Sequence, residues 1–411
     1  MNKLKVIIFG IGQFTDGILN AVRSDVEIVC CIDNDTEKHG KQYAGIQIFS
    51  MSDGVRKEYD YIIIGFTMGY DIAINQLKSL GVSEEKVIIP YLFDHSKYRM
   101  YRDVFYIDEL NYLETDLRLR RIENHLENFP YEFLDDLKNE RLWIPRIMNW
   151  KDTISEIVEH NRSISRFGDG EFDLILGRTC SLQKNDDKLA KLLADVLNSD
   201  AEELMIGIPD VFGALHGKDI LFKEIFRRNL TSGGRERIYS LLRKDKTYYD
   251  SFVTRPYKHH MDRTVASEQF GMIRKIWEQR NVTIIEGAQS RLGIGNDLFS
   301  GAKSIERIIC PVVNAFDKYD EILSEAKNIN KDRLVLLALG PTATVLARDL
   351  AICGYQAIDI GHIDVEYEWF LRGEITAIEG KYVNEAPMGR IVSDENVPKE
   401  YYDQIVARIG V

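Results

Sequence analysis

The sequence predicts an α/β protein with two doubly wound domains and a helical segment between them. Two observations support this prediction. Short apolar runs alternate with stretches of helical periodicity in both halves of the chain, which is typical of βαβ units and a parallel sheet. The run at 335–339, Val-Leu-Leu-Ala-Leu, is continuously apolar, as expected for a central parallel strand that is buried on both faces.

Residues 1–95 are expected to form the first domain, with strands at 4–9, 26–32, 61–65 and 87–90. The first strand leads into Gly10 and Gly12 and then a helix, and Asp33 ends the second strand. This order fits a Rossmann-like nucleotide site, with phosphate at the helix N-terminus and ribose on the acid. Thr15 replaces the third glycine of that fingerprint, so an NAD(P) or other nucleotide site and a scaffold without nucleotide both stay open.

Residues 96–145 have dense charge and apolar residues at helical spacing, which predicts a helical connector. Residues 146–411 then return to alternating strands and helices and are expected to form a second Rossmann-like domain. Its strands are expected at 163–167, 204–208, 282–286, 305–311, 334–339 and 356–360.

Composition limits the classes of function. The formal net charge of −12 argues against a nucleic-acid partner, which normally needs a basic face. No apolar run reaches the roughly 20 residues needed to span a bilayer. Five cysteines without a C-x-x-C pair indicate neither a zinc site nor a disulfide framework. The chain is therefore expected to be cytoplasmic.

The segment 163–173 contains two carboxylates, Asp169 and Glu171, separated by one glycine. In an extended or tightly turned segment, side chains at i and i+2 point the same way, and two such carboxylates suit Mg²⁺ or Mn²⁺. Arg166 lies just upstream, and Gly168 leaves the backbone open to a ligand. A surface turn that binds nothing is the alternative, because Asp-Gly is common in turns.

Two glycine-containing loops follow expected strands. In the loop at 286–299, Arg291 can pair with a phosphate and Asn296 can bind a hydroxyl group, although a structural role for both is open. Gly340 begins a strand-to-helix turn, and the next residues offer N–H groups and hydroxyls to an anion or simply start a helix. The candidate anion-binding residues there are Thr342, Ala343 and Thr344.

The segment 359–370 carries His362, Asp364 and Glu366, which alternate as they would on one face of an extended strand. They are candidates for a metal ligand and a general base, with a structural histidine as the alternative. Arg255 is a further candidate phosphate contact.

Four motifs, in order, resemble the GT-D-fold glycosyltransferases, bacterial enzymes best known for extending glycans on serine-rich adhesins. They are R-F-G-D-G-E (166–171), E-G-A-Q-S-R-L-G-I-G-N-D-L-F (286–299), G-P-T-A-T-V-L-A (340–347) and D-I-G-H-I-D-V-E-Y-E-W (359–369). The resemblance covers about residues 146–395. It implies a GT-D-type Rossmann-like catalytic domain over 146–411 that uses a UDP-sugar and a divalent cation through a D-x-E motif. That motif maps onto Asp169 and Glu171, with His362 as a further metal ligand.

The resemblance therefore implies transfer of a sugar, with glucose as the expected one, from a UDP-sugar to a glycan or glycoprotein, assisted by Mn²⁺ or Mg²⁺. Arg166, Gly168, Arg291, Asn296 and the 340–344 turn are expected to hold the donor, and His362, Asp364 or Glu366 to act as base. Two other functions stay open: an NAD(P)-dependent sugar-modifying oxidoreductase and a non-catalytic nucleotide-sugar binding protein. A homo-oligomer is also left open.

Overall fold

A computed structural model describes residues 3–67, 69–91, 97–133, 142–385, 392 and 397–411 of the 411-residue chain. The chain divides into two compact units, Met1–Leu126 and Glu127–Val411. Residues 96–145 do not form a unit of their own, because the helix Tyr98–Val104 buries Met100, Tyr101 and Val104 in the core of the first unit. Residues 134–141, which were included in the expected connector, lie outside the described residues.

The first unit contains a six-stranded sheet in the order β3-β4-β2-β1-β5-β6. All its pairs are parallel except the β3–β4 hairpin. The strands are β1 (Lys5–Phe9), β2 (Glu27–Ile32), β3 (Gln42–Tyr43), β4 (Ile46–Phe49), β5 (Tyr61–Ile64) and β6 (Val87–Ile88). The helices are Thr15–Ala21, Met51–Gly54, Tyr70–Ser79, Tyr98–Val104 and Ile107–Glu132, the last of which runs on into the second unit. The expected doubly wound fold is present, with the β3–β4 hairpin as an addition.

The second unit contains a nine-stranded sheet in the order β15-β12-β11-β13-β14-β8-β9-β10-β7. Every strand pair in it is parallel. The strands are β7 (Arg146–Met148), β8 (Ser163–Arg166), β9 (Leu204–Ile208), β10 (Thr247–Asp250), β11 (Asn281–Gly287), β12 (Ser304–Cys310), β13 (Leu334–Ala338), β14 (Ala357–Asp359) and β15 (Ile405–Arg408). After β8 the chain continues to β9, on the side of β8 away from β14, whereas after β14 it crosses to β15 at the far edge. The β14–β8 pair is therefore a topological switch point, where α/β sheets form ligand crevices.

Helices cover the second sheet, and two apolar clusters account for its core. The helices are Trp150–Glu159, Asp169–Ile175, Asp187–Leu197, Ile220–Asn229, Gly234–Tyr239, Val265–Arg274, Tyr319–Ala326, Pro341–Ile352, Ile363–Arg372 and Lys399–Asp403. Within the part of the chain that the structure describes, no helix is long and apolar enough to cross a membrane.

One expected element is wrong. The segment that carries His362, Asp364 and Glu366 is not extended, because His362 caps the helix Ile363–Arg372 and the two acids lie in its first turn. A helical period was present in the sequence, since Ile363 and Tyr367 are four residues apart and both are buried. The acids at alternate positions obscured this period in the sequence. They are buried together with the apolar residues, so the helix has no separate polar face.

Candidate functional site

A cavity of about 610 Å³ in the second unit lies at the carboxyl ends of β8, β9, β10, β13 and β14. Its wall includes residues that directly follow these strands, which places it over the switch point between β14 and β8. Among its lining residues are Arg166, Gly168, Asp169, Glu171, Pro209, Ser251, Arg255, Lys258, Gly340, Asp359, Gly361, His362, Asp364 and Glu385. Its volume is within the range of small-molecule sites.

Arg166 ends β8 and is tied to the end of β14. Its guanidinium donates to the Asp359 carbonyl at 2.7 Å, to the Asp359 carboxylate at 2.9 Å and to the Ser251 carbonyl at 3.0 Å. Gly361 lies against this group, and a methyl group at that position would overlap Nη2 of Arg166. Arg166 is therefore part of the cavity wall. Its N–H groups already bond to the ends of neighbouring strands, so it is not positioned as the phosphate contact that was expected.

Asp169 and Glu171 lie in the first turn of the helix Asp169–Ile175, not in the extended or turned segment that was expected. The Glu171 carboxylate folds back and accepts from the Gly168 N–H at 2.7 Å, which is one half of a capping box, because Gly168 has no side chain to return a bond. Burial raises the pKa of Glu171 to about 7, and the nearby charge of Asp359 acts in the same direction. The exposed Asp169 carboxylate accepts only from the adjacent Gly170 N–H, at 3.1 Å, among the hydrogen bonds described for its side chain.

A second charged group in the cavity wall is formed by residues from the loops after β10 and β14, together with Glu385. Arg255 donates to Nδ1 of His362 at 3.1 Å and to the Glu385 carboxylate at 2.6 Å, and Lys258 donates to Glu385 at 2.5 Å. Burial and the neighbouring Arg255 cation lower the pKa of His362 to about 4, so its imidazole is neutral near pH 7. Although burial opposes the shift, Arg255 and the cations near it hold the pKa of Glu385 well below its usual range.

Glu366 bonds to the backbone of the loop that carries the two cations of this group. The side chain is fully buried and accepts from the backbone N–H groups of Tyr257 and Lys258, both at 2.9 Å. It therefore fixes the backbone that carries Arg255 and Lys258. Because it does not line the cavity, its geometry favours positioning over the general-base role that was expected.

Asp364 has a similar structural part. Its carboxylate accepts from the Gly293 N–H at 2.8 Å, from the Asn296 side chain at 2.8 Å and from Lys381 at 2.7 Å. Glu368 accepts from the same Asn296 amide at 2.8 Å. Asp364 reaches the cavity wall, but its lone pairs are taken by a buried network, so it too is not placed as a base.

The two glycine-containing loops place their expected ligands behind the wall. Arg291 is buried, donates to the Gly380 carbonyl at 2.6 Å and does not line the cavity. The side-chain amide of Asn296 donates to Asp364 and Glu368. Neither side chain lines the cavity, so contact of these two residues with the donor stays a prediction that this geometry does not favour. The sequence could not show it, because the partners of both residues come from distant segments.

At the other loop, Gly340 lines the cavity and caps the helix Pro341–Ile352, as expected. Thr342, Ala343 and Thr344 are buried behind it. The Ala343 N–H donates to the Gly340 carbonyl at 2.9 Å, and the Thr344 hydroxyl donates to the Arg166 carbonyl at 2.9 Å. Gly340 therefore lines the cavity, whereas Thr342, Ala343 and Thr344 do not.

A smaller cavity of about 330 Å³ adjoins the first. The two share Asp169, Asp173, Pro209 and Phe226. Its lining also includes three arginines, Arg178, Arg228 and Arg237. Asp169 is therefore an exposed carboxylate at the junction of two cavities.

Two of the three expected ligands suit a divalent cation, and the third does not. Asp169 and Glu171 fit such an ion, because both carboxylates line the same cavity. Burial and the neighbouring negative charge disfavour the ionised form of Glu171, and a bound cation would stabilise that form. His362 does not fit, since its Nδ1 accepts from the Arg255 guanidinium. Across the described residues, no three His, Cys, Asp or Glu side chains are grouped to hold a metal. The expected three-ligand site is thus reduced to a carboxylate pair.

Several lining residues were not foreseen. Asp359, Lys258 and Glu385 carry much of the charge of the cavity. A signal existed for Asp359, because it ends a buried strand and follows the carboxyl-end rule. None existed for Glu385, which comes from an irregular segment near the chain's C-terminus.

The nucleotide site expected as one alternative in the first unit is filled by the chain itself. Asp33 accepts from the Ile11 N–H at 2.8 Å and from Lys38 at 2.9 Å. The Gly12 N–H, at the start of the first helix, donates to the Thr15 hydroxyl at 2.8 Å. The groups that would bind ribose and pyrophosphate are therefore used internally, which favours the scaffold interpretation.

A parallel α/β sheet with a charged cavity at its switch point is the arrangement in which open α/β sheets bind ligands. Residues 164–386 match the family described as "Glycosyltransferase GT-D fold", and residues 2–88 match "C2185-like, N-terminal". The chain belongs to the GT-D-fold glycosyltransferase family, and the expected fold is confirmed.

Named relatives agree with this family. "Glycosyltransferase GlyD" of Streptococcus pneumoniae serotype 4 is 37% identical over 276 residues, which is 67% of this chain and 34% of the relative. "Probable glycosyl transferase Gly" of Streptococcus gordonii is 37% identical over 266 residues, which is 64% of this chain and 39% of the relative. The chain thus spans little more than a third of the length of these curated relatives.

Solved structures show the same fold. One, described as domain of unknown function 1792 with a distinct glycosyltransferase fold, has a TM-score of 0.61 at 36% identity over 65% of this chain and 96% of its own. Another, described as a new glycosyltransferase from Streptococcus sanguinis, has a TM-score of 0.59 at 36% identity over 64% of this chain and 99% of its own.

Proposed function

We propose that this protein is a glycosyltransferase that moves a sugar from a UDP-sugar in the larger cavity to an acceptor hydroxyl that enters from the smaller one. The observation that carries the proposal is the position of Asp169, an exposed carboxylate shared by both cavities. A transferase needs such a junction, because donor and acceptor must meet there. The resemblance supports UDP-glucose as donor and a glycan or glycoprotein as acceptor.

Arg255 and Lys258 are the proposed diphosphate contacts. Both line the cavity, and Glu385 fixes their positions without cancelling both charges. When the acceptor oxygen bonds to the anomeric carbon, the bond from that carbon to UDP breaks and its electron pair leaves with UDP. The proton of the acceptor hydroxyl passes to the departing diphosphate oxygen or to water. Two fixed cations near the leaving diphosphate stabilise the charge that develops there.

Asp169 and Glu171 would hold Mn²⁺ or Mg²⁺ beside the same diphosphate. A bound divalent cation would supply Lewis-acid stabilisation of the leaving group. Gly168 lets the backbone come close to a ligand at the helix start, where Glu171 already occupies its N–H. We assign His362 to the Arg255–Glu385 group instead of to the metal.

The test is a panel of nucleotide sugars assayed for UDP release with Mn²⁺, Mg²⁺ and a chelator, together with calorimetry of UDP binding. Asp169→Asn and Glu171→Gln should each abolish metal-dependent turnover while the tryptophan fluorescence of the fold is retained. Wild-type turnover in both variants would contradict the metal assignment.

For the diphosphate, Arg255→Met should weaken UDP binding by about 10- to 100-fold, as expected for loss of a charge-assisted contact. Lys303→Met, an exposed lysine that does not line the cavity, is the matched control and should bind UDP like the wild type. Equal affinities of the two variants would argue against this placement. UDP-sugar binding without turnover for any acceptor would favour the non-catalytic alternative.

A further inference from the structure

An apolar stripe lies exposed along the helix Ile107–Glu132 and the residue that follows it. Its side chains expose between 44% and 71% of their surface: Tyr112 71%, Leu119 55%, Ile122 54%, Leu126 66%, Phe129 54% and Phe133 44%. Large apolar side chains that are exposed singly need no explanation, but a continuous row of them does. We call this row the helix stripe.

The helix stripe has the spacing of a coiled-coil seam. Together with the exposed Thr115, its members stand at 112, 115, 119, 122, 126, 129 and 133, which are steps of three and four in strict alternation. That period of 3.5 residues keeps one seam facing a partner helix over three heptads. If residue 112 is position a, every a and d position of the seam is exposed.

The stripe is not the face that the helix uses for its own core. Leu110 is buried in the core of the first unit, and Leu113 packs against that core. Further along, Asn128 is buried and bonded to Arg227 and Arg235. These residues lie at b, c and f positions, away from the a and d seam. One face of the helix therefore packs against the rest of its own chain. A second, apolar face is left exposed by the described residues.

The charges beside the seam favour an identical helix as the partner and a parallel orientation. Arg118 stands at position g and Glu123 at position e, five residues apart, which is the g-to-e′ pairing of a parallel coiled coil. In such a pair Arg118 of one copy, which pairs with Glu114 of its own helix in the single chain, meets Glu123 of the second copy. An antiparallel pair would instead set the e positions Asp116 and Glu123 against each other, which are both acidic.

We propose that a second copy of this chain covers the helix stripe, and that the two helices pair in parallel through the 112–133 seam. The seam repeats in register with itself, and its flanking charges complement those of an identical helix. A homodimer would remove the large side chains from water, and this apolar burial is the driving force for the association.

The test is the molar mass of the full chain in solution, measured by light scattering or sedimentation over a range of concentrations. The wild type should be a dimer, and Leu119→Glu combined with Ile122→Glu should be a monomer. Ile72→Glu changes an isoleucine that is 42% exposed on a different helix, and this control should remain a dimer. Because all three positions are exposed, circular dichroism should be the same for every variant.

A charge exchange tests the direction. Arg118→Glu alone should weaken the dimer, and adding Glu123→Arg should restore it. Thr115→Cys should form an intermolecular disulfide under oxidation, whereas Arg120→Cys, at position b, should not. A wild type that is monomeric throughout, or a dimer untouched by the seam variant, would overturn the proposal. No effect of the charge exchange would overturn the parallel direction, and a trimer or tetramer dissolved by the seam variant would overturn the two-stranded pairing.

Discussion

Gly361→Ala tests whether the wall between β14 and β8 depends on close approach of backbone and guanidinium. Gly361 has a φ of +47°, and a methyl group there would overlap Nη2 of Arg166. The substitution therefore combines a left-handed backbone conformation with displacement of a largely buried cation. Gly373 provides a matched control, because it has a φ of +73° with nothing within 4 Å of an added methyl group.

The magnitudes follow from the contacts. Both variants lose about 1–2 kcal/mol for placing a side chain in the left-handed region. In Gly361→Ala, the added methyl group displaces the Arg166 guanidinium. The loss of one charge-assisted hydrogen bond then lowers the free energy of unfolding by about 1.5–3 kcal/mol more. If the Arg166–Asp359 pair breaks, the buried charge left behind raises that additional cost to about 3–5 kcal/mol. Gly361→Ala should thus be less stable than Gly373→Ala by at least about 1.5 kcal/mol.

The assay is urea unfolding followed by tryptophan fluorescence. All four tryptophans of the chain lie in the second unit, so the signal reports the unit that contains the cavity: Trp143, Trp150, Trp277 and Trp369. UDP binding to each variant should be measured in parallel, and only Gly361→Ala should lose affinity. If the two variants lose the same free energy of unfolding, Arg166 does not depend on the missing side chain, and the reasoning about this wall is wrong.

Three further predictions concern groups outside the proposed metal pair. Calorimetry of NAD(H) with the full chain should show no binding, because Asp33 is already bonded to a backbone N–H and a lysine, and micromolar affinity would contradict this. Asp364→Ala should lower the free energy of unfolding of the second unit by about 3–5 kcal/mol, since it leaves the buried ammonium of Lys381 without this partner, and adding Lys381→Met should recover part of that loss. Burial lowers the pKa of His259 from 6.5 to about 3, so the unfolded chain takes up that proton first and stability should fall as the pH drops through this range. His259→Leu should reduce the slope of stability against pH by about 1.4 kcal/mol per unit there, and an unchanged slope would refute the shift.

The parallel strands with apolar runs were predictable, and those without were not. The run at 334–339 was expected and is β13, a central strand. By contrast, β10 consists of Thr-Tyr-Tyr-Asp, and β7 and β15 are short edge strands with exposed or half-buried residues, so none has a long apolar run. Their pairing depends on neighbours from distant parts of the chain, which local patterns do not show.

For the cavity, the sequence predicted positions better than roles. Asp169, Glu171, Gly340 and His362 were placed at strand ends and do line one cavity. Arg291 was expected there as well but is buried behind the wall, because its guanidinium bonds to a carbonyl from residue 380. Which side of a loop a side chain takes depends on such long-range partners, and spacing along the chain does not record them.

The charges of the cavity connect the two halves of the proposed mechanism. Arg166 is neutralised by Asp359, and Glu385 offsets one of the two cations Arg255 and Lys258, so this set retains about one positive charge. A diphosphate brings a negative charge on each phosphate, and Asp169 adds another in the same cavity. The fixed cations alone therefore leave the donor complex negative, and low local polarity makes uncompensated charge costly. A divalent cation between the carboxylates and the diphosphate would remove that excess. This balance supports metal dependence without calling on His362, and it explains how an acidic chain can bind an anionic donor.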